Sequence, residues 1–170
     1  FRIIKKEKVS RFINGPISKK YFLNKTYLGI TEYISSNFQI KNTCMLIFNK
    51  KLSVCPVTTH LPLKLVPKKI NKKNIENKIV LIQKFYKENL NKVPRIGILG
   101  LNPHCESILK YNEDEKIIKP TILKMTKIGY KINGPLPADT MFLKNNRKNY
   151  DVIIGMYHDQ VLTPIKTIFE

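Results

Sequence analysis

All three histidines of the chain stand in short polar turns, and each turn follows an apolar run. These turns are Thr58-Thr-His60, Leu99-Gly-Leu-Asn-Pro-His104 and Tyr157-His-Asp-Gln160. In α/β proteins, metal ligands and proton carriers collect in turns just past the ends of strands. A single histidine of this kind is most simply a loop residue without a role. Because the same context recurs at every histidine, a shared site is the favoured interpretation.

A metal site is one chemistry that these histidines could support. His60 and His104 lack the His-x-x-x-His spacing of one helical face, so spacing alone does not establish ligation. A catalytic metal site usually has three protein ligands and one open position. This pair is one ligand short, and either His158 or a residue outside the chain could complete it. The alternative, in which the histidines bind no metal, stays open at this point.

Proton transfer is the second chemistry that the turns could support. His158 and Asp159 are a possible proton carrier and its orienting carboxylate. Adjacent side chains usually point in different directions, so we do not expect a preformed dyad. Asp159 could equally be the N-cap of a following helix. Gly134-Pro-Leu-Pro-Ala-Asp-Thr140 predicts a rigid loop that could wall a ligand, with Asp139 capping the turn over 140–143.

Common nucleotide-binding and nucleophile motifs are missing from the sequence. No G-x-G-x-x-G, Walker or G-x-S-x-G pattern occurs, and Gly97-x-x-Gly100 alone is too short to indicate a dinucleotide turn. A nicotinamide cofactor would therefore have to bind without an ordinary Rossmann turn.

The chain is strongly basic, with 31 Lys+Arg against 12 Asp+Glu and a net charge of +19. This balance suits a polyanion such as RNA or a phosphorylated small substrate. The excess is scattered lysine, and arginine, the preferred bidentate reader of phosphate and guanine, occurs only at Arg2, Arg11, Arg95 and Arg147. Binding of nucleic acid is therefore the less favoured interpretation.

The cysteines indicate a reducing compartment. Their number is odd and they lack CxxC spacing, which favours free thiols over a disulfide framework. Cys44 and Cys55 lie in apolar runs and are most simply core residues. Cys105 follows His104 directly and could be a soft metal ligand, although a core position is the simpler interpretation. No apolar run approaches the roughly 20 residues that cross a bilayer, and no signal peptide is visible, so we expect a cytoplasmic protein without a membrane partner.

The chain begins at Phe1 and stops within an apolar segment at Glu170, so we expect an internal fragment of a longer protein.

Hydrophobic patterning predicts alternating strands and helices. The run over 43–48 and the run over 52–57, with a short turn between them, predict a β-hairpin. Strands are predicted over 10–14, 43–48, 52–57, 95–99, 130–133 and 151–155. Helices are predicted over 17–24, 32–37, 72–90 and 113–127, the last capped by Asn112 and interrupted by Pro120. This alternation predicts a layered α/β fold with a mixed or mostly parallel sheet.

Six ordered motifs resemble one enzyme family across nearly the whole chain. They are Asn14–Lys19, Gly29–Glu32, Thr58–Leu63, Gly100–His104, Asn133–Thr140 and Met156–Gln160. In these motifs the chain resembles the 4-hydroxythreonine-4-phosphate dehydrogenases, the PdxA family. The resemblance implies a three-layer α/β/α, isopropylmalate-dehydrogenase-like fold with a mixed sheet. It also implies that residues 1–170 are an internal fragment of a two-lobed dehydrogenase subunit, which forms a homodimer with its site at the interface.

The resemblance also implies roles for individual residues. His60 and His104 correspond to metal ligands, a third histidine lies outside this chain, and His158 lies near the site. The metal would be zinc, magnesium or cobalt. Thr31 corresponds to a substrate-binding residue, whereas Ile30 stands where the family has a histidine, which puts that contact in doubt. Cys105-Glu-Ser also replaces the Ala-Gly-Glu that usually follows the family's Asn-Pro-His.

The implied reaction is NAD-dependent oxidation of 4-phosphohydroxy-L-threonine, with decarboxylation to 3-amino-2-oxopropyl phosphate. It would serve pyridoxal 5'-phosphate biosynthesis. Asp159 and Lys19 are the candidates for proton transfer. One alternative is a related enzyme that oxidises another phosphorylated hydroxy acid. The other is a basic RNA- or polyanion-binding module without catalysis, although we expect no nucleic-acid partner.

Overall fold

The computed structural model describes residues 2–7, 9, 11, 13, 15–18, 26–27, 29–106 and 111–169. Two compact units are present, Phe1–Thr43 and Cys44–Glu170. The predicted strand over 10–14 and helix over 17–24 fall largely outside the described residues, as does Lys19.

The first unit contains two described helices, α1 (Arg2–Lys6) and α2 (Ile30–Asn37). Helix α2 starts after Gly29, whose backbone is extended, and the N–H of Phe38 donates to the carbonyl of Ile34 at its end. It confirms the helix predicted over 32–37 and begins two residues earlier. The sequence patterning did not predict α1.

The second unit is built on a sheet of four parallel strands. The strands are β1 (Ser53–Pro56), β2 (Ile96–Leu99), β3 (Ile132–Leu136) and β4 (Val152–Gly155), in the spatial order β1-β4-β2-β3. Because all four strands run in one direction, the loops that follow them emerge at one edge, which we call the carboxyl edge.

The predicted hairpin over 43–57 forms only in part. The described structure has one antiparallel bridge, between Ile47 and Val54, and the rest of the run over 43–48 is irregular. Its apolar side chains pack against the core instead, with Cys44 and Leu46 on one side and Met45 on the other. A short apolar run looks the same in sequence whether it pairs as a strand or only packs.

Helices complete the second unit, and their bounds are α3 (Val66–Lys69), α4 (Lys72–Leu90), α5 (Lys119–Lys127), α6 (Ala138–Met141), α7 (Lys144–Arg147) and α8 (His158–Phe169). Two 3-10 turns span Leu63–Leu65 and Pro103–Cys105, and a π-helical turn spans Asp114–Ile118. Within the described residues, we find no helix with both the length and the apolar character needed to cross a membrane.

The two faces of the sheet are covered by different helices. Along β4, Val152 and Ile154 belong to a core that includes the buried faces of α4 and α5. Ile153, between them, belongs to a second core that includes Val161 and Ile165 of α8. Successive residues of a strand point to opposite faces, so this alternation places one helical layer on each side. The three-layer α/β/α class is confirmed.

Helix α4 has the predicted bounds. The side chain of Asn71 accepts a hydrogen bond from the N–H of Asn74 at 2.9 Å, which caps the first turn. Asn91 ends the helix in the left-handed conformation, with φ of 47°. The buried residues recur at three- and four-residue spacing, as the sequence indicates; they are Ile75, Ile79, Ile82 and Tyr86.

Strand β3 continues through residues for which the sequence predicts a turn. Gly134 has φ of +146°, and a Cβ on it would collide with the carbonyl oxygen of Ile98. This close approach to β2 requires glycine, and the register shifts between Gly97 and Leu99. Gly134 and Pro135, which the sequence assigns to a rigid loop, are instead part of this closely paired strand.

The predicted helix over 113–127 forms in two parts. The Asn112 side chain accepts a hydrogen bond from the N–H of Glu115 at 2.8 Å, as expected of a capping residue. The π-helical turn follows and runs directly into α5, in which Pro120 is the second residue.

Candidate active site

Each of the four loops at the carboxyl edge carries a titratable side chain. His60 follows β1, His158 follows β4, His104 follows β2 and Asp139 follows β3. In the spatial order of the strands these groups form one row along the edge. The topology therefore places the three histidine turns of the sequence at a single edge and adds a carboxylate.

The first half of the row joins the loops after β1 and β4. The rings of His60 and His158 lie 5.7 Å apart between centroids, with an interplanar angle of 41°. Thr58 fixes this approach, because its hydroxyl donates to the carbonyl of Met156 at 2.7 Å and its N–H donates to the same oxygen at 3.2 Å. Thr58 and Met156 are both buried, so these hydrogen bonds join the loops after β1 and β4 in the protein interior.

His158 and Asp159 form a pair that the sequence led us not to expect. Nδ1 of His158 lies 2.6 Å from Oδ1 of Asp159. Both residues belong to the first turn of α8, so Asp159 is inside the helix and is not its N-cap. In the tautomer that carries the ring proton on Nδ1, His158 donates to Asp159 and Nε2 is the acceptor of the ring.

The second half of the row joins the loops after β2 and β3. Nδ1 of His104 lies 4.0 Å from Oδ2 of Asp139, and both side chains are exposed. A cavity of about 380 Å³ opens beside them and is also lined by Tyr157 and Gln160. The predicted capping role of Asp139 is wrong, because α6 begins after Pro137 without a side-chain cap and Asp139 faces His104 instead.

Gln160 connects the two halves. Its Oε1 accepts from the N–H of Met156 at 2.7 Å, and its Nε2 donates to the carbonyl of Gly100 at 2.8 Å. Gly155 makes room for this arrangement, since a Cβ there would lie 2.5 Å from Cγ1 of Val161 and 3.0 Å from Oε1 of Gln160. Sequence reasoning included Gln160 in a motif but gave it no role, because no spacing rule identifies such a bridge.

The loop that carries His104 has an unusual backbone. His104 and Cys105 have φ of 55° and 63°, in the left-handed region that residues other than glycine seldom adopt. The Cys105 side chain is buried, and a Cβ on Gly100 would lie 2.7 Å from its Sγ. Burial raises the pKa of the Cys105 thiol, which favours the core position over the alternative of a thiolate ligand.

Asp114 is a further residue of this loop's surroundings that sequence reasoning missed. It is the first residue of the π-helical turn before α5, and it is fully buried. Its carboxylate accepts hydrogen bonds from the backbone of Leu101 and Asn102, at the start of the His104 loop.

The carboxyl edge carries only part of a metal-ligand set among the described residues. His60 and His104 offer imidazole nitrogens, a type of ligand that suits zinc, cobalt and similar divalent ions. Their strands are separated by β4, which corresponds to about 10 Å of sheet. In the part of the chain that the structure describes, we find no group of three or more His, Cys, Asp or Glu side chains that could hold a metal ion. The donor chemistry therefore fits a metal, and another ligand is needed.

The predicted substrate residues lie in the other compact unit. Ile30 is the first residue of α2 and Thr31 the second, and both are half-buried. Lys19, a candidate for proton transfer, lies outside the described residues.

Comparisons with known proteins identify relatives of the chain. The family model described as pyridoxal phosphate biosynthetic protein PdxA matches residues 1–169. The 4-hydroxythreonine-4-phosphate dehydrogenase of Sulfurihydrogenibium sp. is 39% identical over 166 residues, which are 95% of this chain and 51% of that protein. The D-threonate 4-phosphate dehydrogenase of Pectobacterium atrosepticum is 31% identical over 94% of this chain and 50% of that protein.

A solved structure agrees with the fold. The 4-hydroxythreonine-4-phosphate dehydrogenase from Klebsiella pneumoniae superposes with a TM-score of 0.83 and 29% identity, covering 99% of this chain and 53% of that one. The chain thus spans about half the length of the curated relatives it matches. The six motifs, the three-layer fold and the family match lead to one conclusion: this chain belongs to the PdxA family.

Proposed function

We propose that the full-length protein is an NAD-dependent dehydrogenase that oxidises 4-phosphohydroxy-L-threonine. The observation that carries this proposal is the row of His60, His158, His104 and Asp139 at the carboxyl edge of a PdxA-family fold. Relatives with this fold are named for that activity. The chain's 31 Lys+Arg against 12 Asp+Glu also suit a phosphorylated substrate.

His60 and His104 are the residues that would hold a divalent metal ion, which we propose to be zinc, magnesium or cobalt. When bound, such an ion supplies Lewis-acid stabilisation of negative charge on a substrate oxygen. The Asp159 carboxylate orients His158, so that Nε2 of this imidazole can accept the proton of the substrate hydroxyl. Lys19 remains a candidate for proton transfer elsewhere in the reaction.

The overall reaction has two parts. NAD, when bound, would supply the acceptor for a hydride from the carbinol carbon, while the hydroxyl proton passes to a base of the protein; the product is a 3-oxo acid. Loss of carbon dioxide from this acid then gives 3-amino-2-oxopropyl phosphate. The cavity beside His104 and Asp139 is our candidate for the space that holds part of the substrate.

We further propose that the chain is an internal part of one dehydrogenase domain and that the full protein acts as a homodimer in the cytoplasm. The resemblance supports the dimer. Three free cysteines, Cys44, Cys55 and Cys105, support a reducing compartment.

D-threonate 4-phosphate is the second candidate substrate. Ile30 stands where the family has a histidine, and an isoleucine side chain cannot form a hydrogen bond to a substrate. A relative at 31% identity is named for D-threonate 4-phosphate. A panel of the two substrates, assayed with the wild-type protein and Ile30→His, distinguishes these candidates. Preference for the threonate that reverses in Ile30→His would assign the specificity to this position.

The main proposal is tested by NAD reduction with 4-phosphohydroxy-L-threonine, before and after treatment of the full-length protein with a chelator. We expect turnover that the chelator abolishes and a divalent ion restores. A folded, metal-loaded protein that turns over neither phosphorylated substrate would contradict the proposal.

A further inference from the structure

Asp114 is a buried carboxylate that accepts three hydrogen bonds from the described residues of the loop after β2. Its Oδ1 accepts from the backbone N–H of Leu101 at 2.8 Å. Its Oδ2 accepts from the backbone N–H of Asn102 at 3.0 Å and from the Asn102 side chain at 2.7 Å. The residue itself is fully buried. A carboxylate is an acceptor only, so it matches three converging N–H donors better than any neutral side chain.

The rest of the structure makes room for this contact. A Cβ on Gly100 would lie 2.7 Å from Oδ1 of Asp114, so the loop can reach the carboxylate because residue 100 is glycine. The loop then turns tightly, and the N–H of Cys105 donates to the carbonyl of Asn102 at 3.0 Å. Asp114 thus binds the start of a turn, and His104 and Cys105 later in the same turn have left-handed backbones.

The neighbouring carboxylate of Glu115 behaves differently. Glu115 is exposed and pairs with Lys119, one helical turn further on, at 3.0 Å. That is the ordinary position of an acidic residue near the start of a helix. Asp114 instead turns inward to the loop after β2, so attraction to the helix dipole does not explain its burial.

We propose that Asp114 is the positioning residue that sets the orientation of His104 and thereby the affinity of the carboxyl edge for a divalent metal ion. The inference rests on the proposed function, in which His104 is a metal ligand. Asp114 acts through the backbone of Leu101 and Asn102, which lie three and two residues before His104. Outer partners that orient a ligand typically change metal affinity about 10- to 100-fold when they are removed.

The test compares Asp114→Asn with Glu115→Gln in the full-length protein. Both variants remove one carboxylate charge from the same turn, and only the first places an NH₂ group among the N–H donors of the loop. Affinity for Co²⁺ is measured by competition with a chromophoric chelator, and the visible spectrum of the bound ion reports the geometry of its ligands. Thermal unfolding reports whether each variant is folded.

We expect Asp114→Asn to bind Co²⁺ about 10- to 100-fold more weakly with a changed spectrum, and Glu115→Gln to match the wild type. Turnover of Asp114→Asn should recover at saturating metal, which a general loss of folded protein would not allow. Asn102→Ala keeps the carboxylate and both backbone bonds, so we expect a smaller loss of affinity. If Asp114→Asn fails to fold, the Co²⁺ affinity and spectrum of Asn102→Ala test the positioning role.

Two failures can be told apart. If His104→Ala loses the ion while the folded Asp114 and Asn102 variants keep wild-type affinity and spectrum, the positioning role is wrong and the proposed function stands. If His104→Ala binds Co²⁺ as tightly as the wild type, the metal site of the proposed function is wrong, and the role of Asp114 falls with it.

Discussion

The two edges of the sheet use charged side chains in opposite ways. At the amino edge, Asp151 precedes β4 and is almost covered, with 10% of its side chain exposed. It accepts hydrogen bonds from Lys92 at 2.8 Å and from the Arg95 backbone at 2.9 Å. At the carboxyl edge, His104 and Asp139 are exposed and 4.0 Å apart. The Asp151 charge is therefore paired within the protein, whereas His104 and Asp139 are exposed and available to a ligand.

This difference predicts a separation of stability from activity. Groups paired at the amino edge should contribute to folding and not to turnover. Groups at the carboxyl edge should affect turnover at little cost in folding, except for the buried residues that hold the loops in place.

The largest effect is expected from His104→Ala. Loss of this proposed metal ligand should remove several kcal/mol of charge stabilisation, so kcat/KM should fall about 1,000-fold. The side chain is 74% exposed, so the melting temperature should change little. Steady-state NAD reduction and thermal unfolding of the full-length protein check both parts. Full activity in His104→Ala would contradict the proposed role of the carboxyl edge in turnover.

The next effect is expected from Asp151→Asn, which should lower the free energy of unfolding by about 2 kcal/mol and leave turnover unchanged. Burial acts to raise the pKa of Asp151, but hydrogen bonds from Arg95 and Lys92 outweigh it and lower the pKa from 3.8 to about 2. Urea unfolding at neutral pH measures the difference. An unchanged stability would show that the paired edge does not stabilise the fold.

The same pKa predicts an acid dependence. Because the pKa of Asp151 is lower in the folded state than its ordinary value of 3.8, its contribution is complete above that value and is lost as the pH falls towards 2. The free energy of unfolding should therefore fall more steeply below about pH 4 in the wild type than in Asp151→Asn. Parallel slopes would contradict this assignment.

A comparable or smaller loss is expected from Gln160→Leu, which removes the bridge between the loops after β4 and β2. The N–H of Met156 and the carbonyl of Gly100 lose their Gln160 partner, at a cost of about 1–3 kcal/mol. Turnover should fall as well, since the bridge holds both halves of the row. Gln83→Leu is the matched control, because Oε1 of Gln83 is buried without a hydrogen-bond partner among the described residues.

The smallest effect concerns the cysteines. The Sγ atoms of Cys44 and Cys55 are 3.4 Å apart, and their hydrogen bond lowers the pKa of Cys44 and raises that of Cys55. Burial raises the pKa of Cys105. Iodoacetamide should therefore modify Cys44 first, with no loss of turnover, as peptide mass spectrometry would show. Preferential labelling of Cys105 would contradict this order.

Sequence reasoning was most successful where one pattern dominates. The helix over 72–90 has apolar residues at three- and four-residue spacing, and this pattern alone predicted its bounds to the residue. The strands over 95–99 and 151–155 are apolar runs of ordinary strand length, and both were found within one residue.

The failures share a physical cause, which is that they depend on contacts distant in sequence. The strand order places β4 between β1 and β2, and no local pattern shows that His60 will meet His158. Asp114 lies 12 positions from Asn102, and its burial depends on the close approach that Gly100 allows. The histidine turns could be predicted as candidates, but the residues that hold them could not.

The most direct test of the account is the metal content of the full-length protein, measured by elemental analysis after dialysis against a divalent ion. The wild type is compared with His60→Ala and His104→Ala from the carboxyl edge and with Asp151→Asn from the amino edge. The account predicts that both histidine variants lose the bound ion and that Asp151→Asn retains it. Equal metal content in all four proteins would contradict the assignment of the carboxyl edge as the metal-binding site.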